Sequence, residues 1–163
     1  MDYEPRWPEL FRREADRLRA VLGRHALLIE HTGSTAVPGL AAKPVIDILL
    51  VVRNSADEDS YLPLLHAAGY VMRIREPEWY EHRMLNGPDT DVNLHVFSFE
   101  CPEIGRILLF RDWLRNNPAD RELYQRTKLT LARKEWKGVQ DYADAKTAVI
   151  EEIMARARAA RLE

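Results

Sequence analysis

Residues 31–52, HTGSTAVPGLAAKPVIDILLVV, place a Gly33-Ser34-Thr35 turn ahead of an apolar run that holds one carboxylate, Asp47. A glycine followed by small hydroxyl side chains exposes backbone N–H groups. Together with the Ser34 and Thr35 hydroxyls, those groups could take an anion such as a phosphate. The turn is not a Gly-Lys-Ser/Thr phosphate loop, because five residues separate Gly33 from Gly39 and Leu40 follows. No Gly-x-Gly-x-x-Gly fingerprint occurs either. By itself Gly-Ser-Thr is also what an ordinary tight turn uses. Asp47 is the sharper feature, because an unpaired carboxylate in a covered strand is costly and needs a partner. Three partners are in reach: N–H groups of the turn, the Lys43 ammonium, and a metal ion. Lys43 could equally meet a bound phosphate. Mg2+ suits the third case, being held by one or two carboxylates plus substrate phosphates.

Further along, Asp91, Asn93 and His95 alternate with Val92, Leu94 and Val96, so the polar three share one strand face. His31, His82 and His95 all fall on expected strands and could meet. No His-Glu-x-x-His spacing marks a zinc site, and hydrogen bonding in or beside a pocket is the expected role. Tyr124 and Lys128 are four apart, as are Tyr142 and Lys146. That spacing puts each pair on one helix face, either as amphipathic surface or with the lysines turned toward a phosphate. The same spacing serves short-chain dehydrogenases, a reading that fails without the glycine fingerprint. Trp7, Trp79, Trp113 and Trp136 are dispersed and read as core or rim aromatics.

The elements that must position these groups follow from periodicity. Leu10, Phe11, Ala15, Leu18, Val21 and Leu22 have helical spacing, with Pro8 in the first turn and Gly23 as the stop. HALLIEH reads as a short strand. PVIDILLVV, apolar on both faces, reads as a central covered strand. SYLPLLHAAG is a short helix and YVMRIRE a strand. WYEHRMLNGPDTDVNLHVFSF is a hairpin turning at NGPD. Helices over 103–116, 118–135 and 141–161 follow, the second opened by Asn117-Pro118. The fold class is α/β, or α+β by stricter naming: a small mixed sheet flanked by helices, with a helical C-terminal third.

At 163 residues the chain is the length of one domain, and no linker splits 1–163. A formal net charge of -2 with interspersed signs argues against broad nucleic-acid coating or binding to an anionic membrane. A single cysteine, Cys101, excludes an intramolecular disulfide. No apolar leader opens MDYEPRWPEL and no apolar stretch is long enough to span a bilayer, so the expected location is cytoplasmic.

HTGSTAVPGLAAKPVIDI closely resembles the signature of the GrpB family, an uncharacterised protein family that looks like part of the DNA polymerase beta-type nucleotidyltransferase superfamily. The likeness extends to the amino-terminal W…F helix, LHVF, LLFRDWLRNNP, YQRTKLTLA and YADAKTAVI, and so covers nearly the whole chain. It implies a sheet of four to five strands with nucleotidyltransferase topology. In that superfamily a Gly-Ser loop holds phosphates, and acids in an Asp-x-Asp pattern plus a third on a neighbouring strand hold two metals. Here Gly33 and Ser34 match the loop and Asp47 the first acid. Leu49 falls where the second acid belongs, and Asp91, Asn93 or His95 where the third belongs. The resemblance therefore implies nucleotide or phosphorylated-ligand binding with Mg2+. Gly33, Ser34, Thr35, Lys43, Lys128 and Lys146 would lie at phosphate, Asp47 and Asp91 at metal, and Asp47 and His95 in any nucleotidyl transfer. A one-metal enzyme, a site completed by Glu30 or His95, and a non-catalytic binding module all remain open. Relatives that look fused to dephospho-coenzyme A kinase imply a coenzyme A connection for the last of these.

Overall fold

Ile46–Val52 (β2) is the strand the sequence marks most clearly, and every residue in it but Asp47 is buried. In the computed structural model, which describes residues 1–89, 91–133 and 139–161, it is one of five strands. The others are Leu28–Thr32 (β1), Val71–Glu76 (β3), His82–Asn86 (β4) and Val92–Ser98 (β5), in the order β1-β2-β5-β4-β3. The β2–β5 pair is parallel and the other pairings are antiparallel. The sheet is therefore mixed, as expected. Two compact units, Met1–Ile107 and Leu108–Glu163, divide the chain.

In the first unit the strand alternation gives the sheet two different faces. Ile29, Ile46, Ile48, Leu50, Val52, Leu85, Val92, Leu94 and Val96 point to one side and form the core. Helices Arg6–Leu22 (α1) and Leu62–Ala67 (α2) cover it with Trp7, Ala15, Leu18, Leu22, Leu62 and Leu65. Gly23, at φ +54° and ψ -126°, ends α1 in a backbone conformation that favours glycine. Within this core lies a carboxylate that sequence periodicity conceals. Glu14 is fully buried, accepts a hydrogen bond from the Tyr70 hydroxyl and pairs with Arg17. Arg17 also meets Asp89, tying α1 to the hairpin turn.

At the β3 edge, Glu58 accepts from Arg75 at 2.8 Å and from Arg83 at 2.7 Å. The Arg75 bond, reinforced by Arg83, holds the Glu58 carboxyl down at about 2, well below its ordinary value.

The second unit consists of the rest of Pro102–Asn116 (α3), then Pro118–Arg133 (α4) and Val139–Arg161 (α5). Pro118 opens α4 as expected, but the Asn117 amide turns back to cap the Trp113 carbonyl. Asp120 accepts from the Trp113 indole and from the Arg156 guanidinium, and chiefly the arginine lowers its pKa. Trp136 and the expected helix end at 135 lie outside the described residues, as does the Tyr142 side chain. Among the described residues no helix is long and apolar enough to cross a membrane.

Candidate functional site

The sheet face opposite the core carries the polar residues. Register places Thr32, Asp47, Asn93 and Asn86 side by side across β1, β2, β5 and β4. The next row is Glu30, Leu49, His95 and Met84. The row beyond holds Val51, Phe97 and, by the same hairpin register, His82.

Asp47 is not the buried acid that an apolar strand suggests. It is the second residue of β2, at the mouth of the sheet, with a side chain 29% exposed. Of its expected partners, Lys43 is solvent-exposed and makes no ion pair with it among the described residues. The hydrogen bond to its side chain comes instead from His95, with Nε2 donating to Oδ1 at 3.2 Å. The other oxygen, Oδ2, lies against Gly33, where any Cβ would collide with it. Gly33 stands at φ 73°, ψ -174°, a conformation essentially reserved for glycine. The glycine of the turn and the acid of the strand are thus a single packed unit.

The turn itself is a short 3-10 segment, Ser34–Ala36. Thr35 is buried, and its hydroxyl donates to the Val45 carbonyl at 2.9 Å. That hydroxyl has only one hydrogen, so it must accept the 2.9 Å bond from His31 Nε2, which is then the protonated ring nitrogen. His31 stacks on Phe11 of α1, on the core side of the sheet. The Thr35 hydroxyl is therefore an internal pin and does not face a phosphate. Ser34, half-buried, is the hydroxyl of the pair nearer the surface.

Of the three strand histidines two do meet. His95 Nδ1 lies 3.1 Å from His82 Nε2, and His82 Nδ1 lies 2.7 Å from Glu76 Oε1. A polar chain thus runs diagonally from Asp47 through His95 and His82 to Glu76, across β2, β5, β4 and β3. Its three contacts need three hydrogens, and two neutral imidazoles supply two. Burial lowers the His82 pKa, against the raising effect of its Glu76 bond, and favours a neutral ring. His82 then donates from Nδ1 to Glu76, which leaves its Nε2 to accept from His95 Nδ1. The expected meeting of strand histidines thus holds for His82 and His95, since a hairpin turning at NGPD brings position 82 opposite 97, next to His95. Glu76, the last residue of β3, is the partner that sequence reasoning missed.

Leu49, at the expected second acid position, is fully buried. Asp91 is exposed just before β5, where its carbonyl accepts from Ile46 N–H. Among the described residues no three His, Cys, Asp or Glu side chains are grouped to hold a metal. One half-exposed carboxylate fits a single Mg2+ carried on a ligand's phosphates. It does not fit a resident metal pair, for which the position of Leu49 would need a second charged oxygen. Lys128 and Lys146 belong to the second unit. Both are half-buried on their helices, and the Lys128 ammonium lies 5.1 Å from the centre of the Tyr124 ring.

A UPF0157 protein of Halalkalibacterium halodurans is 62% identical over 98% of this chain and 82% of its own. A Mycolicibacterium paratuberculosis protein named dephospho-CoA kinase is 32% identical over 77% of this chain, a match spanning only 37% of that protein. The crystal structure of GrpB from Enterococcus faecalis superposes with a TM-score of 0.84 at 35% identity, covering 100% of this chain and 99% of that one. The Cid1 poly(U) polymerase shares the fold alone, with a TM-score of 0.59 at 16% identity over 82% of this chain and 45% of its own. That likeness makes the mixed sheet nucleotidyltransferase-like. Residues 1–156 match the family model described as GrpB protein, and with relatives this similar over nearly its full length, the chain belongs to the GrpB family.

Proposed function

We propose that this protein binds a nucleotide, or a related small phosphorylated compound, at the mouth formed by Ser34, Asp47 and His95. One observation carries the reading: the Asp47 carboxylate is clamped between Gly33 and His95, so turn and acid present one rigid, half-exposed surface. A small number of fixed polar groups is what orients a small charged ligand in a cleft. The ligand's phosphates lie along the Gly33–Ser34 backbone and the Ser34 hydroxyl, with Lys43 on the exposed segment beside them. A polyanion cannot sit next to a bare carboxylate. Asp47 would hold one Mg2+ arriving with the phosphates, with Asp91 contributing from just before β5 and His95 orienting Asp47. When bound, that ion would neutralise phosphate charge and polarise the phosphoryl group. Support from the fold is by analogy, since a Cid1 structure is described as MgGTP-bound. The dephospho-CoA kinase name of one relative puts coenzyme A precursors among the ligands to try. Such ligands belong to the cytoplasm.

The test is a thermal-shift and calorimetric screen of nucleoside triphosphates, inorganic triphosphate and coenzyme A precursors, with and without Mg2+. Ligand at 100 times its Kd adds about 2.7 kcal/mol, a rise of roughly 5–10 °C for a chain of this size. Mg2+-dependent binding that Asp47→Asn abolishes, and that Ser34→Ala weakens about tenfold, is expected. Pyrophosphate release in the same samples separates transfer from binding alone. If no phosphorylated compound shifts the melting temperature with or without Mg2+, the reading is wrong.

A further inference from the structure

The five-residue connection between β3 and β4, Pro77-Glu78-Trp79-Tyr80-Glu81, does more than close a hairpin. Tyr80 and Glu81 stand at φ 56° and φ 51°, two consecutive non-glycine residues in the left-handed region. Such backbone persists only where its surroundings impose it, and it gathers at functional positions. Here the surroundings are visible. The Ser55 hydroxyl donates to the Glu81 carbonyl at 2.7 Å, and Arg83 bonds the Glu81 carboxylate at 3.1 Å. Backbone bonds from Trp79 N–H to Glu76 and from His82 N–H to Trp79 fix the rest.

What this tied-down turn presents is aromatic and open. Trp79 is 42% and Tyr80 47% exposed. Trp79 meets Tyr80, His82 and Phe97 edge to face, in each case at ring-centre distances of 5.2–5.6 Å. No ring is stacked flat on the Trp79 indole among the described residues. His82 and Phe97 belong to the same sheet face as Asp47 and His95, so the indole lies over that face. Three successive contacts, through His82 and His95, lead from Trp79 to the Asp47 carboxylate.

We propose that Trp79, flanked by Tyr80, is a stacking platform for the base of the bound nucleotide, a role that rests on the anion reading above. A rigid aromatic costs little ordering on binding, and a purine or pyrimidine brings a flat π-face to it. Phosphates at Ser34 and Asp47 with a base at Trp79 would make the ligand span one sheet face. A free nucleotide and the end of a single strand offer the same base-plus-phosphate chemistry.

The experiment compares calorimetric Kd values of inorganic triphosphate and a set of nucleoside triphosphates, all with Mg2+, in wild type, Trp79→Leu and Trp79→Phe. The wild type should hold at least one nucleoside triphosphate about tenfold tighter than inorganic triphosphate. Trp79→Leu should bring that ratio near one without changing inorganic triphosphate affinity, and Trp79→Phe should keep most of it. A single-stranded hexanucleotide with no terminal triphosphate distinguishes the sources. Binding it as tightly as the triphosphates, with the same loss in Trp79→Leu, would keep the platform but make a strand the ligand. A ratio near one in wild type, or a ratio that survives Trp79→Leu, overturns the platform while leaving the anion site standing. If neither inorganic triphosphate nor any nucleoside triphosphate binds, the anion reading fails on its own. Saturation transfer to adenosine ring protons then decides: a signal lost in Trp79→Leu keeps the platform, and no signal removes it.

Discussion

Gly33→Ala probes the packed unit of turn and acid most directly. The native backbone there, φ 73° and ψ -174°, costs a non-glycine residue about 1–3 kcal/mol. The added methyl would also meet Asp47 Oδ2, Cγ and Cβ together. Oδ1 is bonded to His95, so the carboxylate yields only by leaving its rotamer, about 0.5–1.5 kcal/mol, or by weakening a charge-assisted hydrogen bond. The sum is a destabilisation of about 2–5 kcal/mol, or roughly 5–15 °C in melting temperature. Urea unfolding of wild type, Gly33→Ala, Asp47→Ala and the double variant separates the two contributions. With the carboxylate gone, only the backbone part should remain, so the cycle should show a coupling of about 1–2 kcal/mol. If Gly33→Ala costs the same in both backgrounds, within about 0.5 kcal/mol, the carboxylate is not what demands glycine there. The proposed clamp around Asp47 would then have no basis.

Thr35→Val, close in shape, strands the Val45 carbonyl and His31 Nε2 and should cost about 1–3 kcal/mol in urea unfolding, while Thr35→Ser recovers most of it; equal stability of Val and Thr would show that the hydroxyl is not a pin. Because the folded-state pKa of Glu58 is lowered to about 2 from 4.5, its contribution is complete above the unfolded value and is lost as pH falls through the folded one. The stability difference between wild type and Glu58→Gln, followed by urea unfolding against pH, should therefore be level above pH 4.5 and close toward pH 2. A gap that stays constant down to pH 2 contradicts it. In long-range 1H–15N spectra His82 should appear neutral with its hydrogen on Nδ1, and Glu76→Ala should remove that preference; an Nε2-protonated His82 in wild type would break the proposed hydrogen count.

Much of the architecture was legible in the sequence because it rests on local patterns. The apolar run of β2, the alternation Val92-Asn93-Leu94-His95-Val96 and the helical spacing along α1 each fix an element and the face it buries. The turn glycine and the lone acid drew attention for sound reasons: one residue type adopts Gly33's backbone, and a carboxylate is out of place in an apolar strand. What a one-dimensional pattern cannot carry is which groups end up in contact. Asp47 escapes burial by sitting one residue from the strand's start, and its partner is His95, 48 residues away, not Lys43 four residues before it. Register alone decided that His82 joins His95 while His31, on a strand of opposite parity, turns to the core and consumes the Thr35 hydroxyl. The helical spacing of α1 does not mark Glu14, whose buried partner Tyr70 lies 56 residues further along the chain. Hydrogen bonds and ion pairs act over a few ångströms in space, whatever the separation along the chain. The residues that could do chemistry could therefore be named from the sequence, but only the tertiary structure settled which of them touch.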